Sequence, residues 1–459
     1  MRFLITTLAE YQTDFWLQVG MRLRGLGHGV SFLSFDDRSS ETLSKAGFEV
    51  FSGTAETDTP LVGDPTVDSS FFSGFGIKDI NHWLGHERLA FGQHDSGAML
   101  RKLARALITA DRACRSLAGS ETVVVVQELG GFLSVIGTFF AARARGLHNW
   151  FIEPSFFRGR MFLLEDSFSS MAITRGAPDR IVPADLARYL DETIEAGKIV
   201  VPLKDRHQYT TATRKILNLR NLRRLAEKVS DKYLRGKRQE FGHIANHVAT
   251  HLKMLYNSRR LSRHYTPLDG IGSFIYYPLH VPGDMALTLR SPHLLDQIAL
   301  IDYLCRAVPA THKVVIKEHP AMIGAIDAGR LIELSNRHDN LVMLRPSTNN
   351  YAVIRRSDAV VSVNSKSGAE AGLVGKPVVT LGDAFYRDAP FSTAVDRLQE
   401  LPACIERLVG GGSPPPARPE DVRRYFADVW DQSFPGELYV SDDANVARFV
   451  DSLLAAIVR

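Results

Sequence analysis

Two short apolar runs, each ending in polar residues where a helix begins, constrain this chain more than any other feature. Val314-Val315-Ile316 is a β-branched run that delivers Lys317, Glu318, His319 and Pro320 to its carboxyl end. Residues 359–363 form a second run, 364–368 a small polar turn, and 369–374 the helix that follows. Strand–turn–helix units in series build open parallel sheets, and these bind ligands outside the carboxyl ends of their strands. A helix start offers unpaired N–H groups and the positive end of a dipole to an anion. Two such ends, one carrying a lysine and a histidine, make a phosphate-binding crevice and point to a nucleotide-bearing ligand.

The same alternation fills most of the chain. Strands are expected over 2–6, 30–35, 48–51, 122–127 and 149–153, with helices over 15–26, 98–117 and 132–145. The pattern turns wholly helical from about 183 to 263. A second alternation then places strands over 274–277, 312–317, 341–344, 359–363 and 378–381. Helices over 294–307, 325–336 and 351–355 separate them. Gly410-Gly411-Gly412-Ser413-Pro414-Pro415-Pro416 is a linker, and two amphipathic helices follow over 419–429 and 445–458. The expected fold class is α/β, with two Rossmann-like doubly wound domains, a helical insert and C-terminal helices. Its divisions are 1–182, 183–268, 269–410 and 411–459. That layout resembles the GT-B glycosyltransferases, whose active site lies between the domains, although layout alone does not license a function.

Composition excludes several classes. The chain's 459 residues suffice for two or three cores, and 45% hydrophobic with 23% charged residues is ordinary for a globular protein. A formal charge of +4 and a pI near 8.8 give no reason to expect nucleic acid. Cys114, Cys305 and Cys404 are far apart and odd in number, which suits reduced core thiols in the cytoplasm. Residues 1–7 read as a first strand, not a leader, and no apolar run reaches the roughly 18 residues of a spanning helix. Basic residues crowd the stretch from Arg214 to Arg263, opposed by only a few carboxylates. A solvated helix face is the plain explanation; a surface for anionic lipid heads at the inner membrane, or for an acidic glycan, is the sharper one.

The residues at the strand ends also carry a family resemblance. Lys317-Glu318-His319-Pro320, with Ser365-Lys366-Ser367-Gly368-Ala369-Glu370 and the Gly375-Lys376-Pro377 after it, resembles the bacterial capsule polysaccharide biosynthesis proteins. That group includes retaining β-Kdo transferases. Gly382-Asp383-Ala384-Phe385-Tyr386 is similar to the family's Gly-x-x-Phe-Tyr element. The stretches from Pro278 to Asp284 and from Glu153 to Arg160 resemble two more. Here His280 stands where the family usually has Gln, and Pro154-Ser155 where it has Gly-Tyr. The resemblance covers the second half well and the first half only at points.

The expected chemistry follows. Lys317, His319, Pro320 and His280 surround the donor's phosphate, with Ser365, Lys366, Ser367 and the close-approach Gly368 at the helix end. The resemblance implies that Glu370 holds a ribose hydroxyl and that Asp284 is a nucleophile taking the sugar covalently. Asp284 also suits a plain turn. Glu153 is expected as acid/base in apolar surroundings. Arg158 and Arg160 suit a sugar carboxylate, and Gln127 and Glu128 the acceptor side. No metal and no cofactor beyond the donor is expected. The substrates implied are a nucleotide sugar, first CMP-Kdo or a similar acidic sugar, and a lipid-linked or oligosaccharide acceptor. Two other readings fit the same residues: a CDP-glycerol or UDP-sugar enzyme of this fold, and a non-catalytic glycan-binding protein.

Overall fold

Runs buried along their whole length become the middles of two sheets, because both faces must be covered. The computed structural model describes residues 1–54, 69–119, 121–197, 229–241, 244–410 and 415–458. In the first half lie β1 (Arg2–Thr7), β2 (Gly29–Ser34), β3 (Glu49–Ser52), β4 (Val123–Glu128), β5 (His148–Pro154) and β6 (Arg160–Glu165). The second half holds β7 (Phe274–Pro278), β8 (Lys313–Lys317), β9 (Leu341–Leu344), β10 (Ala359–Ser362), β11 (Val378–Thr380) and β12 (Ser392–Ala394). A last short strand, β13 (Phe434–Pro435), follows near the C-terminus.

The first sheet runs β13-β6-β5-β4-β1-β2-β3, parallel from β5 to β3, with β6 and β13 added antiparallel at one edge. The second runs β12-β11-β10-β7-β8-β9 and is parallel throughout. In each sheet the chain builds outward on one side of its first strand and then crosses to the other. The reversals fall between β1 and β4 and between β7 and β10, and ligands of doubly wound sheets sit at such points. The GT-B-like arrangement of two doubly wound layers is therefore present, with the two reversal points meeting at one cleft.

Several elements differ from the sequence reading. Helix Asp37–Lys45 was not expected because only Ser39 and Leu43 of its residues are buried, too few for an apolar stripe. Helix Ile80–Phe91 and strand β6 also escaped notice. Of the basic stretch, Arg214, Lys215, Arg220, Arg223, Arg224 and Lys228 lie outside the described residues. Arg235, Lys237 and Arg238 pair with Asp231, Glu41 and Asp37. The C-terminal segment does not stay with the second sheet. Helix Pro419–Asp431 lies between the two halves, β13 pairs with β6, and helix Asp443–Val458 packs Phe449, Val450 and Leu453 against Phe15 and Trp16 of the first half. No helix among the described residues is long and apolar enough to cross a membrane.

Candidate active site

Strand ends from both sheets line one cleft with a cavity volume of about 470 Å³. On the second-sheet side, β8 delivers Lys317 into a site where 5% of the residue remains exposed, and its Nζ donates to the Thr348 carbonyl at 3.2 Å. Burial pushes this ammonium down to about 8, while Glu370 pulls the other way. Glu370 is the fifth of the eight residues of helix Lys366–Leu373. Burial pushes its carboxyl up to about 7, against the Asn350 amide, which donates to it at 2.7 Å, and Lys317 and Lys366. The same Asn350 amide donates to Ser367 Oγ at 3.0 Å, and the Tyr276 hydroxyl donates to Asn350 Oδ1 at 2.8 Å. A lysine, a carboxyl and a hydroxyl are thus fixed at one helix start.

The remaining donor-side residues are also brought together. His319 Nδ1 accepts the Ala321 amide at 3.3 Å, so a neutral ring carries its proton on Nε2. His280 is buried, and burial with His319 nearby pushes it down to about 3; its Nε2 has no hydrogen-bond partner among the described residues. Pro320 lines the wall beside them. Ser365 caps the helix by accepting the Ser367 amide at 3.2 Å, the plain role that a helix-end serine fills. Glu318 turns away from solvent to accept from Tyr265 Oη at 2.6 Å and from the Gly324 amide at 2.8 Å, which shapes the loop after β8.

Both expected catalytic carboxylates line the cleft, each with a structural duty. Asp284 accepts the Ala286 amide at 2.9 Å and so caps the short turn of helix Met285–Thr288. Glu153 accepts two hydrogen bonds from Arg290, at 2.8 and 2.9 Å. The apolar surroundings expected for Glu153 are replaced by a guanidinium. Arg290 also donates to the carbonyls of Phe168 and Ser169. Glu128 lines the first-sheet wall, held by Gln12 and by Tyr439.

Four expected residues stand elsewhere. Gln127 is buried on the other side of β4, where its Nε2 donates to Asn149 Oδ1 at 3.0 Å. Arg160 stacks over Trp430 and donates to Ser433 Oγ at 2.8 Å and to the Trp430 carbonyl at 2.9 Å, so it anchors the C-terminal return instead of a sugar carboxylate. Arg158 is exposed outside the cleft lining, its amide donating to Tyr189 Oη at 3.4 Å. Gly368 is backed by protein: an added Cβ would lie 2.4 Å from Tyr386 Oη. Lys366 is in the lining, and its Nζ reaches across to the Ser155 carbonyl at 2.7 Å.

Sequence reasoning missed Arg290 and Asn350, which have no local motif; their partners come from 137 and 20 residues away. Among the described residues, the one group of His, Asp and Glu close enough to share a metal ion is His148, Glu165 and Asp166, exposed at the far end of β5.

A family model described as capsule polysaccharide biosynthesis protein matches residues 136–392, more than half of the chain. Protein FixF of Sinorhizobium fredii (strain NGR234) is 33% identical over 135 residues, a match that spans 28% of this chain and 31% of that protein. Among solved structures, the β-Kdo 2,7 transferase of Thermosulfurimonas dismutans KpsC aligns with 14% identity and a TM-score of 0.37, covering 76% of this chain and 89% of that one. The β-Kdo 2,4 transferase of the same protein aligns with 13% identity and a TM-score of 0.34, over 72% and 86%. Likenesses of that size assign no chemistry to this chain.

Proposed function

The chain belongs to the family of capsule polysaccharide biosynthesis proteins, and from that membership and the cleft we propose that it is a nucleotide-sugar-dependent glycosyltransferase. One observation carries the reading: the reversal points of two doubly wound sheets meet at a single cleft, with cationic and helix-end groups on one wall and carboxylates on both. Lys317, His319 and the start of helix Lys366–Leu373 suit a donor phosphate. Asn350, Ser367 and Glu370 offer the donors and acceptors that a ribose needs. Asp284 takes the sugar, and the acceptor hydroxyl of a glycan or glycolipid enters from the first-sheet wall. An acidic sugar on CMP is the first donor class to try, because the matched family carries that expectation. Contact with an anionic membrane surface through the basic stretch around Arg259 and Arg260 would bring a lipid-linked acceptor to the cleft. No metal is required by this scheme, since Lys317, His319 and the helix end meet the phosphate charge.

The test is thermal protection by CMP, CDP, UDP, UMP, GDP and ADP. A nucleotide at about 100 times its Kd should add roughly 2.7 kcal/mol of stability. Protection by CMP supports the acidic-sugar donor; protection by UDP or CDP instead moves the donor class. Asp284→Asn keeps the helix cap, because Asn caps as well as Asp. It should bind the protecting nucleotide unchanged and transfer nothing. A variant that still transfers would remove Asp284 from the reaction, and a chain that no nucleotide protects would fit a glycan-binding protein better.

A further inference from the structure

Glu128 stands at the carboxyl end of β4, beside the reversal point of the first sheet, with its side chain in the cleft wall. Two residues from distant parts of the chain support it. Gln12, just after β1, donates from Nε2 to Glu128 Oε2 at 3.1 Å, while its Oε1 accepts the Leu8 amide at 2.8 Å, which fixes the amide's orientation. Tyr439, in the segment that returns to the first sheet, donates its phenol to the same Oε2.

Tyr439 is held in an uncommon way. Its φ of 63° lies in the left-handed region, where a tyrosine is strained. Asn445 pins the loop around it, accepting the Glu437 amide at 3.0 Å and donating to the carbonyls of Glu437 and Val440, both at 2.8 Å. The ring packs edge-on against Tyr11, Phe15 and Trp16. Burial, and then the Glu128 charge, pushes the phenol well above its ordinary value, so it remains the proton donor of the pair. Strain that the surroundings hold in place is a mark of a functional site. Here it aims one hydroxyl at a carboxylate of the cleft.

We propose that Glu128 is the general base toward the acceptor, and that Gln12 and Tyr439 are the residues that position it. The proposal rests on the transferase reading above. The acceptor hydroxyl gives its proton to Glu128 as its oxygen bonds to the anomeric carbon. The bond from that carbon to the leaving oxygen, on Asp284 in the covalent route, breaks with its electron pair. Glu128 then returns the proton to solvent. Anchoring Oε2 with two neutral donors holds the carboxylate in one orientation before the acceptor arrives.

The experiment uses the full chain and whichever of CMP-Kdo and UDP-N-acetylglucosamine it turns over, following nucleotide release with water or sodium azide as acceptor. Azide needs no base. Glu128→Gln should bind the nucleotide as the unchanged chain does, lose at least about 100-fold in release to water, and recover most of that loss with azide. Tyr439→Phe keeps the packed ring and should lose roughly tenfold in kcat with the donor KM unchanged, because misplacement of a reacting group costs rate and not donor binding. The assignment is overturned if Glu128→Gln releases nucleotide to water at the normal rate. It is equally overturned if that variant binds nucleotide but azide restores nothing, or if Tyr439→Phe is kinetically normal. An unchanged chain that releases no nucleotide from either donor, and that no nucleotide of the panel protects, removes the transferase premise and this proposal with it, a failure visible before any variant is made.

Discussion

Glu370 is a carboxyl that the fold has withdrawn from water and given one amide and two lysines for company. Its pKa is pushed up to about 7, so between about 4.5 and 7 the folded chain keeps a proton that the unfolded chain has lost. Folding then takes up a proton, and stability must fall as pH rises through that window. The contribution is complete below about 4.5 and gone above about 7. Glu370→Gln removes the titrating group and keeps the shape. Urea unfolding of both chains from pH 4 to 8 should therefore give curves that converge toward low pH. Above pH 7 the unchanged chain should lie below the variant. Parallel curves would show that Glu370 titrates as it would in water. Lys317, held down to about 8 in the same pocket, is the neighbour that makes this more than a stability effect. The donor phosphate proposed for this pocket would meet one group near the edge of losing its charge and another near the edge of gaining it.

Helix Lys366–Leu373 shows what an element adds to its residues. Its sequence, small and polar at the start, carried the expectation of an anion site, but the helix begins at Lys366 behind the Ser365 cap, three residues before the expected start at 369. The purpose of Gly368 was not legible, because the atom that needs the space belongs to Tyr386, eighteen residues on. Tyr386 Oη donates to the Ser365 carbonyl at 2.7 Å and lies 3.0 Å from Ser362 Oγ, so it ties the helix start to the end of β10. Gly368→Ala would place a Cβ 2.4 Å from that oxygen. The expected cost is about 1–3 kcal/mol, the usual size of an overpacking defect. Nucleotide affinity should fall as well, because the helix start must shift; Tyr386→Phe in the same background should return part of the stability by removing the crowded oxygen. Normal stability in Gly368→Ala would mean the helix slides freely on Tyr386. The general lesson concerns range. Apolar runs such as β4 and β8 declare themselves locally, since burial on both faces needs a continuous β-branched sequence. Arg160 and Gln127 do not, because whether a polar side chain faces a cleft, a neighbouring strand or a returning helix depends on residues such as Trp430, Ser433 and Asn149 that only the fold brings near.

At the scale of the whole molecule, the cleft is also the joint between the two halves, and the residues that line it hold them together. Arg290, with 5% of its side chain exposed, spans the joint to Glu153 and to the carbonyls of Phe168 and Ser169. His86 Nδ1 lies 2.9 Å from Thr288 Oγ1, Lys366 reaches the Ser155 carbonyl, and the Ser170 amide donates to Asp383 at 2.9 Å. Arg290 and Thr288 follow Asp284 within six residues, so the loop that carries the expected nucleophile is clamped to the opposite half at two points. The position of Asp284 in the cleft is thereby coupled to how closely the halves approach. Arg290→Gln cuts the stronger clamp and leaves Glu153 without its cation. Removing one partner of a buried pair costs about 3–5 kcal/mol, and because Glu153 keeps some access to water the lower end is expected here. The two halves should then separate more readily, giving a larger radius of gyration by small-angle scattering without nucleotide, and a contraction when the protecting nucleotide is added. An unchanged scattering curve in a destabilised Arg290→Gln chain would show that helix Pro419–Asp431 and the C-terminal return hold the halves together by themselves, and that Arg290 serves the local geometry of Glu153 alone.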